Sequence, residues 1–441
     1  MRRRGSTATC WSSGMPDTAV LSDFAFINPA TDTNGTAADL AVAFIPMAAV
    51  IEDGGWRSTE NRPLSDGRKG YTLFQRGDMI VAKITPCFEN GKVALLSDLE
   101  TDYGLGSTEF HVLRAKPGHD PRFIYHWTRH PAFLRAGEAS MTGSAGQRRV
   151  PAGFFERFEI ARIIGAPQGL IADILDAIDD AIFETDAVIE KLSLVHQGLV
   201  HDLTTLGLSN SGEIRRADQP EEFNETDLGL LPHSWCVKSI GHMVNDLALG
   251  TSARGANDGQ DQLRLLKMGN LGWDALDTST CELIDVERVV HWKDALLLDG
   301  DLLFNTRNTP ELVGKTAAYE QSDQRTVCDN NILRMRFPTE EMDGRFAAAY
   351  MANGLGKSRL MALATGTTSV AAIYWRDLRD FKLPVPPREE REEIVRRLQV
   401  SRDRIGREKE YRGKLSNLRE GLRDDLLTGR KIVFAIREAA E

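Results

Sequence analysis

Residues 169–203 read GLIADILDAIDDAIFETDAVIEKLSLVHQGLVHDL, and this stretch decides the fold. Its apolar residues recur in alternating steps of four and three, with Thr185 and His196 filling two of the places. This pattern indicates a long helix with one apolar seam, which would extend roughly 50–55 Å at about 1.5 Å per residue. Such a helix requires a partner to cover its seam. The predicted apolar seam residues are Ile171, Leu175, Ile178, Ile182, Ile189, Leu192, Leu199 and Leu203.

The partner lies further along the same chain, because an offset of 223 residues maps the first seam onto a second one. Four polar residues, Ser401, Glu408, Arg412 and Arg419, interrupt the second seam without changing its spacing. Its predicted apolar residues are Ile394, Leu398, Ile405, Leu415, Leu422 and Leu426.

The same offset relates motifs that precede the two helices. Gly77-Asp78 matches Gly300-Asp301, and Gly143 matches Gly366. One register that is kept from these motifs through both helices indicates a duplicated unit, and a repeat of this kind determines the architecture.

The two predicted helices carry opposite charge. Residues 168–206 contain eight acidic side chains and one basic side chain, a net charge of −7. Residues 388–431 contain fourteen basic and ten acidic side chains, a net charge of +4. Opposite charges beside matched seams favour pairing of the two different helices over self-pairing of either one.

We therefore predict an α+β chain with two mixed α/β globular units in tandem pseudo-two-fold repeat, each followed by a long helix. The second helix begins at the second unit and must return towards the first, so the helices should form an antiparallel coiled coil. The predicted boundaries are 15–167 for the first globular unit, 168–206 for the first helix, 207–227 for a linker, 228–387 for the second unit and 388–431 for the second helix.

Composition indicates a cytoplasmic protein of 441 residues with 41% hydrophobic and 27% charged residues. No apolar run approaches the length that spans a membrane. The five cysteines, Cys10, Cys87, Cys236, Cys281 and Cys328, are scattered, which argues against a structural zinc site. The net charge of −10 implies that any surface for a polyanion must be local. Met15 is an alternative start to Met1.

No catalytic motif is evident in the sequence. Gly354-Leu-Gly-Lys-Ser358 ends like a phosphate-binding loop, but Met351 stands where that motif has its first glycine. His196 is interpreted as a tolerated polar residue of the seam rather than as a ligand.

Without a catalytic motif, the remaining class of function is binding. The glycine-containing loops are the leading candidates for a binding surface, because glycine lets the backbone approach a partner closely. Cationic side chains near them could contact phosphates or guanine, and polar side chains could assist. The candidate DNA-binding residues are Lys83, Gly143, Ser144, Gln147, Arg148 and Arg149 in the first half, and Arg264, Lys267, Arg307, Gly366, Thr367, Thr368 and Ser369 in the second.

The chain resembles the specificity subunit of Type I restriction-modification systems over residues of about 15 to 431. It departs from the family in lacking an evident Pro…Trp lead-in to the first half and the usual Glu-Gln at the helix entries. The features that carry the resemblance are the duplicated unit ending in a long helix, the Gly-Asp motifs, the Thr-Gly-Ser/Thr loops at 142–144 and 365–367, the prolines at 167 and 387, and the lead-in Leu228-Gly229…Pro232…Trp235.

The resemblance implies two target recognition domains that each bind one half of a bipartite site in double-stranded DNA. It implies a helix pair that sets the spacer and docks two methyltransferase subunits, with restriction/translocase subunits joining them and no membrane partner. The chain itself would be non-catalytic and would bind no cofactor or metal. S-adenosylmethionine, ATP and Mg²⁺ are expected on the partner subunits, which supply adenine-N6 DNA methyltransferase and Type I site-specific endonuclease activities.

Two other hypotheses stay open at this point. One is a self-contained adenine methyltransferase with fused specificity domains, against which the missing methyltransferase motifs argue. The other is a coiled-coil scaffold that does not bind DNA. The sequence does not predict the bases of the half-sites or the exact spacer.

Overall fold

The computed structural model describes residues 17–431 except 53, 58, 59, 145, 257–260, 321–323, 367 and 368, and of residues 68 and 69 it describes the backbone. The chain divides into two compact units. Unit 1 contains the residues up to Asp186 and those from Glu410 onward, and unit 2 contains Ala187–Lys409. Residues 15 and 16 of the predicted first domain lie outside the described residues.

Two helices of 40 residues each, Ala166–Thr205 and Arg388–Leu427, are the longest elements. We call them the first and second long helix; at the rise of an α-helix each is about 60 Å long. Gly207 and Gly429 follow their ends with φ of 65° and 71°, the left-handed conformation that commonly ends a helix.

Within unit 1 the two long helices pair antiparallel. Arg419 contacts Asp179 at 3.4 Å, and Arg412 contacts Asp186 at 3.1 Å, so the register rises along one helix as it falls along the other. Ile171, Leu175 and Leu426 belong to one apolar core. The opposite charges predicted for the two helices thus meet directly in these ion pairs.

Within unit 2 the helices are antiparallel as well. His196 Nδ1 lies 3.0 Å from Ser401 Oγ, so two polar residues of the predicted seams bond to each other. Leu203 and Ile394 share a buried core. Burial lowers the pKa of His196, which favours its neutral form on the seam. Every predicted apolar seam residue of both helices is buried or half-buried.

The described residues of unit 1 form two four-stranded sheets and a small two-stranded one. In the first sheet Met79–Ala82 lies between Phe110–Ala115 and Val93–Leu95, and all its pairs are antiparallel. The second sheet is mixed, because Ala41–Ile45 runs parallel to Tyr103–Gly106. The strands of unit 1 are Thr18–Val20, Ala25–Ile27, Ala41–Ile45, Glu60–Pro63, Thr72–Gln75, Met79–Ala82, Val93–Leu95, Tyr103–Gly106, Phe110–Ala115 and Glu159–Ala161.

Unit 2 repeats the four-stranded antiparallel sheet, whereas its mixed sheet has three strands in the described residues. Leu302–Asn305 lies between Ile332–Arg336 and Thr316–Ala318 in an antiparallel sheet, and Gln262–Leu266 runs parallel to Thr326–Cys328 in a mixed one. Its strands are Phe223–Thr226, Gly229–Pro232, Cys236–Ser239, Asp246–Leu249, Gln262–Leu266, Glu282–Asp285, Leu302–Asn305, Arg307–Asn308, Thr316–Ala318, Thr326–Cys328, Ile332–Arg336, Thr365–Gly366, Ala371–Ala372 and Lys382–Val385.

Short helices complete both units. Those of unit 1 are Leu21–Phe24, Pro121–Thr128, Pro131–Ala139 and Ala152–Arg157, with 3-10 turns at Met47–Ala49 and Leu64–Lys69. Those of unit 2 are Ile240–Met243, Trp292–Ala295, Gly344–Ala352, Gly354–Met361 and Trp375–Leu378, with 3-10 turns at Pro220–Glu222, Met268–Asn270 and Val286–Arg288.

The duplicated Gly-Asp motifs have a structural role. Gly77 and Gly300 adopt φ of 84° and 80° in the turn before a central strand. The buried carboxylates that follow accept a backbone N–H, Asp78 from Gln75 at 2.8 Å and Asp301 from Leu298 at 2.7 Å. Both residues therefore close their turns in the same way.

The sequence predicts one helix from Asp120 towards Gly137 and one over 344–364, and both predictions were too simple. The single helix expected from Asp120 towards Gly137 is two helices, and the second begins at Pro131 with the His130 ring capping the N–H of Ala132 at 3.1 Å. Proline lacks an N–H and disfavours a helical residue before it, so the helix ends and restarts there. The helix expected over 344–364 likewise divides at Gly354, where φ is 49°.

The segment predicted as a linker, 207–227, lies in unit 2. Leu208 is buried, Arg215 pairs with Glu390 of the second long helix at 2.7 Å, and Phe223–Thr226 forms a hairpin with Gly229–Pro232. Although its composition is polar, this segment therefore packs against the rest of unit 2.

Candidate nucleic-acid interface

The two glycine-containing loops are equivalent features of the two units. Gly143 has φ of 121°, and a Cβ there would lie 2.8 Å from Gln147 O. Gly366 has φ of 152°, and a Cβ there would collide with Val370 O. Val370 is the residue that the repeat offset of 223 matches to Gln147. Only glycine suits either position, because the loop turns back on itself so closely.

Both loops are closed by backbone pairing. The N–H of Arg149 donates to Thr142 O at 2.9 Å, and Thr142 N–H donates to Arg149 O at 3.0 Å. In unit 2, Thr365 pairs with Ala372 in the same manner. Each loop therefore begins and ends on an antiparallel base.

A strand beside each loop base is also duplicated. In unit 1, Val150 N–H donates to Lys83 O at 2.8 Å, and Lys83 N–H donates to Glu109 O at 2.9 Å. In unit 2, Ile373 N–H donates to Thr306 O at 3.0 Å, and Thr306 N–H donates to Asn331 O at 2.9 Å. The structure thus brings Lys83 next to the first loop.

Arg149 is held by a carboxylate that the sequence analysis did not single out. Its Nε lies 2.9 Å from Glu109 Oε2 and its Nη2 lies 2.8 Å from Glu109 Oε1, while Nη1 donates to Gln147 O at 3.2 Å. The hydrogen bond from Arg149 lowers the pKa of Glu109, and the charge of Lys83 acts in the same direction. The Arg149 side chain remains 42% exposed, so an ion-paired cation still faces solvent.

Arg148 is held more loosely. Its Nη2 lies 3.7 Å from Glu89 and 3.8 Å from Glu138, beyond hydrogen-bond distance. The predicted residues Gly143, Ser144 and Gln147 are exposed at the loop tip. Lys83, Gly143, Ser144, Gln147, Arg148 and Arg149 thus form one surface region of unit 1.

The second loop differs in its side chains. Gly366 and Ser369 are exposed, whereas Thr367 and Thr368 lie outside the described residues. Arg307 is exposed on the strand that pairs with Ala372 at the loop base. Within the described part of unit 2, its guanidinium makes no hydrogen bond or ion pair.

Arg264 and Lys267 contact a different part of unit 2. The Arg264 guanidinium donates to Thr278 O, and Lys267 Nζ pairs with Glu282. Both lie in or beside the mixed sheet, where Gln262–Leu266 pairs with Glu282–Asp285. These contacts link the two residues to that sheet edge rather than to the loop that follows Thr365.

Two further residues were missed. Tyr374 is exposed just after the second loop, and the Arg376 guanidinium lies 5.2 Å from its ring centroid. An aromatic residue followed closely by a cation is a combination that nucleic-acid-binding surfaces use for stacking. That spacing, next to a glycine loop, was the available signal in the sequence.

Among the described residues, no group of three or more His, Cys, Asp or Glu side chains is arranged to hold a metal ion. No helix within the same residues is long and apolar enough to cross a membrane.

Comparison with curated proteins shows relatives of one kind. The chain is 43% identical over 140 residues to the Type I restriction enzyme EcoAI specificity subunit of Escherichia coli, an alignment that covers 31% of this chain and 23% of that protein. It is 24% identical over 449 aligned positions to the EcoEI specificity subunit of Escherichia coli, covering 83% of this chain and 74% of that protein. No family model matches the sequence.

Solved structures show the same fold. A chain from a study of complex assembly and conformational transition of the type I R-M system matches with a TM-score of 0.53 and 17% identity, covering 94% of this chain and 99% of that one. The S subunit of a Type I restriction-modification system from M. genitalium matches with a TM-score of 0.56 and 12% identity, covering 94% and 97%. At such low identity these likenesses bear on the fold alone.

Proposed function

We propose that the chain is the DNA sequence-recognition subunit of a Type I restriction-modification complex, which its likeness to Type I restriction enzyme specificity subunits supports. Each unit binds one half of a bipartite, asymmetric site in double-stranded DNA. The chain spans only 23% of the length of the first relative and 74% of the second. The activity and the partners of the whole complex are therefore part of this proposal.

The observation that carries the proposal is the duplicated loop. Both units present an exposed loop at the same place in the fold, with glycine at a position where a Cβ would collide with the loop backbone. Two similar loops on two similar units suit two separate contacts with one extended polymer. DNA supplies such contacts through its grooves and its phosphates.

The side chains around the loops differ, which supports unequal half-sites. Unit 1 places Lys83, Glu109 and Arg149 at the loop base, where unit 2 places Thr306, Asn331 and Ala372. Different donors and acceptors on the same backbone frame would select different bases.

We propose that the two long helices set the spacer between the half-sites and dock two methyltransferase subunits. Support comes from the length of each helix, about 60 Å at 1.5 Å per residue, which exceeds one turn of DNA at about 34 Å. Restriction/translocase subunits would complete the complex. S-adenosylmethionine, ATP and Mg²⁺ would bind those partners, and this chain would contribute no catalytic group.

The test is co-expression of the chain with a methyltransferase subunit of its own system, followed by single-molecule sequencing of methylated adenines in host DNA. A bipartite motif that appears only when both chains are present supports the proposal. Methylation by the purified chain alone would favour a self-contained methyltransferase. An intact complex without any sequence-dependent methylation or binding would favour a scaffold.

A further inference from the structure

The hydrogen bonds of Arg149 leave a defined part of its guanidinium free. Guanidinium has five N–H donors, and Arg149 uses Nε and Nη2 towards Glu109 and Nη1 towards Gln147 O. One donor therefore remains on each of its two terminal nitrogens. The side chain is 42% exposed at the loop base, so these donors are accessible to a partner.

An orienting carboxylate changes what an arginine can recognise. A guanidinium that rotates freely binds a phosphate as readily as a base, whereas one held in a fixed plane presents its donors in one direction. Two adjacent N–H donors match the O6 and N7 acceptors of guanine in the major groove, the commonest specific contact of arginine with DNA.

Unit 2 provides an internal comparison. At the three equivalent positions it has Thr306, Asn331 and Ala372, and Thr306 Oγ1 donates to Asn331 O at 2.9 Å. The exposed cation there is Arg307, which no carboxylate of the described residues holds. Arg307 suits a phosphate contact, and Arg149 suits a base contact.

We propose that Arg149 is a specificity-determining residue that recognises a guanine in the half-site bound by unit 1, and that Glu109 is its positioning residue. This inference rests on the proposed function. The strong mutual pairing is reflected in the pKa of Arg149, which the hydrogen bond to Glu109 raises.

The experiment determines the methylation motif of complexes that contain wild-type chain, Arg149→Lys, Glu109→Gln or Arg76→Lys. Lysine keeps the charge of Arg149 but loses the planar fork, and glutamine keeps the shape of Glu109 but loses its charge. Arg76 pairs with Asp102 at 3.3 Å elsewhere in unit 1 and serves as the matched control. Co-purification and thermal unfolding establish that each complex is assembled and folded.

We expect Arg149→Lys to lower the preference for one guanine by roughly tenfold to a hundredfold. Glu109→Gln should relax the same position by a smaller factor, and Arg76→Lys should leave the motif unchanged. The other half-site should stay as in the wild type for every variant, which a merely structural role for the ion pair would not produce.

Several results would overturn the inference. They are an unchanged motif in an assembled Arg149→Lys complex, an equal loss of methylation at all sites with Glu109→Gln, and a wild-type motif that lacks guanine in the half bound by unit 1. A wild-type complex that yields no bipartite motif would instead overturn the proposed function, and this inference with it.

Discussion

The carboxylate of Asp78 holds the guanidinium of Arg114 at two points, with Oδ1 2.7 Å from Nε and Oδ2 2.8 Å from Nη2. Asp301 and Arg336 repeat this geometry in unit 2, at 2.6 and 2.8 Å. The side chains of Asp78 and Asp301 are almost completely buried. The Gly-Asp motif that marks the repeat in the sequence is therefore one end of a buried ion pair between neighbouring strands of the central sheet.

We expect Asp78→Asn to destabilise the protein by about 3–5 kcal/mol, because it leaves a partly buried guanidinium without its counter-charge. Asp301→Asn should cost less, since Arg336 also contacts Asp246 at 2.9 Å, whereas the other side-chain contact of Arg114 is the uncharged Thr31. Denaturant unfolding measures both changes.

Asp218→Asn is the control for this comparison, because the Arg216–Asp218 pair is largely exposed. Its free energy of unfolding should stay close to that of the wild type, because solvent already screens the pair. Equal losses for Asp78→Asn and Asp218→Asn would contradict the structural role of the motif.

The stability of unit 1 should depend on pH through His130. Burial lowers the pKa of His130 to about 4, the charges of Arg423 and Arg135 act in the same direction, and Asp424, 3.5 Å away, opposes them. The unfolded state binds a proton near pH 6.5 while the folded state resists it. Stability is therefore complete above about pH 6.5 and should fall by up to about 3 kcal/mol as the pH drops towards 4.

His130→Asn isolates this effect. Asparagine is a favoured N-cap residue and can still cap the helix that begins at Pro131. Unfolding curves between pH 7 and pH 4 should be flatter for the variant than for the wild type. Parallel curves would assign the pH dependence to other groups, of which His126, also with a lowered pKa, is the first candidate.

Shortening both long helices by one heptad should shorten the DNA spacer. Removal of 193–199 and 398–404 deletes facing segments in the register set by His196 and Ser401, and it preserves the order of the seam. The helices lose about 10 Å, which corresponds to roughly three base pairs at 3.4 Å each. Motif sequencing should show a shorter spacer between unchanged half-sites; an unchanged spacer would refute the measuring role of the helices.

Replacing residues 17–165 by the corresponding segment of another family member should change one half-site only. The loop, Glu109 and the central sheet of unit 1 all lie in this segment, while the second loop and Arg307 do not. The motif of the chimeric complex is the measurement. A change in both halves would show that the units do not bind independently.

The elements that could be predicted from sequence are those with local or periodic signals. The seam of Ile171 to Leu203 repeats at fixed steps, and turn residues bound strands such as Met79–Ala82 and Ile332–Arg336, so both kinds of element carry a signal in the sequence. The pairing of Glu109 with Arg149 could not be predicted. It joins residues 40 positions apart, and only the folded sheet brings them together.

The ion pairs between the first long helix and the short helices of unit 1 could not be predicted for the same reason. Arg129 donates to Asp179 at 2.6 Å and Arg122 donates to Asp173 at 2.7 Å, so acidic residues that gave the first long helix its net charge also have specific partners outside the coiled coil. Net charge indicated the preferred helix partner but not these contacts.

The opposite charges of the two long helices also bear on how the duplicated halves can be separated. A fragment that carries only the first long helix has many acidic residues beside its apolar seam, and two copies of it would repel each other. The two halves are therefore complementary and not interchangeable. A cut between the exposed residues Asn210 and Ser211 should therefore yield two fragments that reassemble with each other when co-expressed, and not with themselves. The charge difference between the duplicated halves thus makes them an obligate pair within one polypeptide, and co-purification of the two fragments tests that pairing.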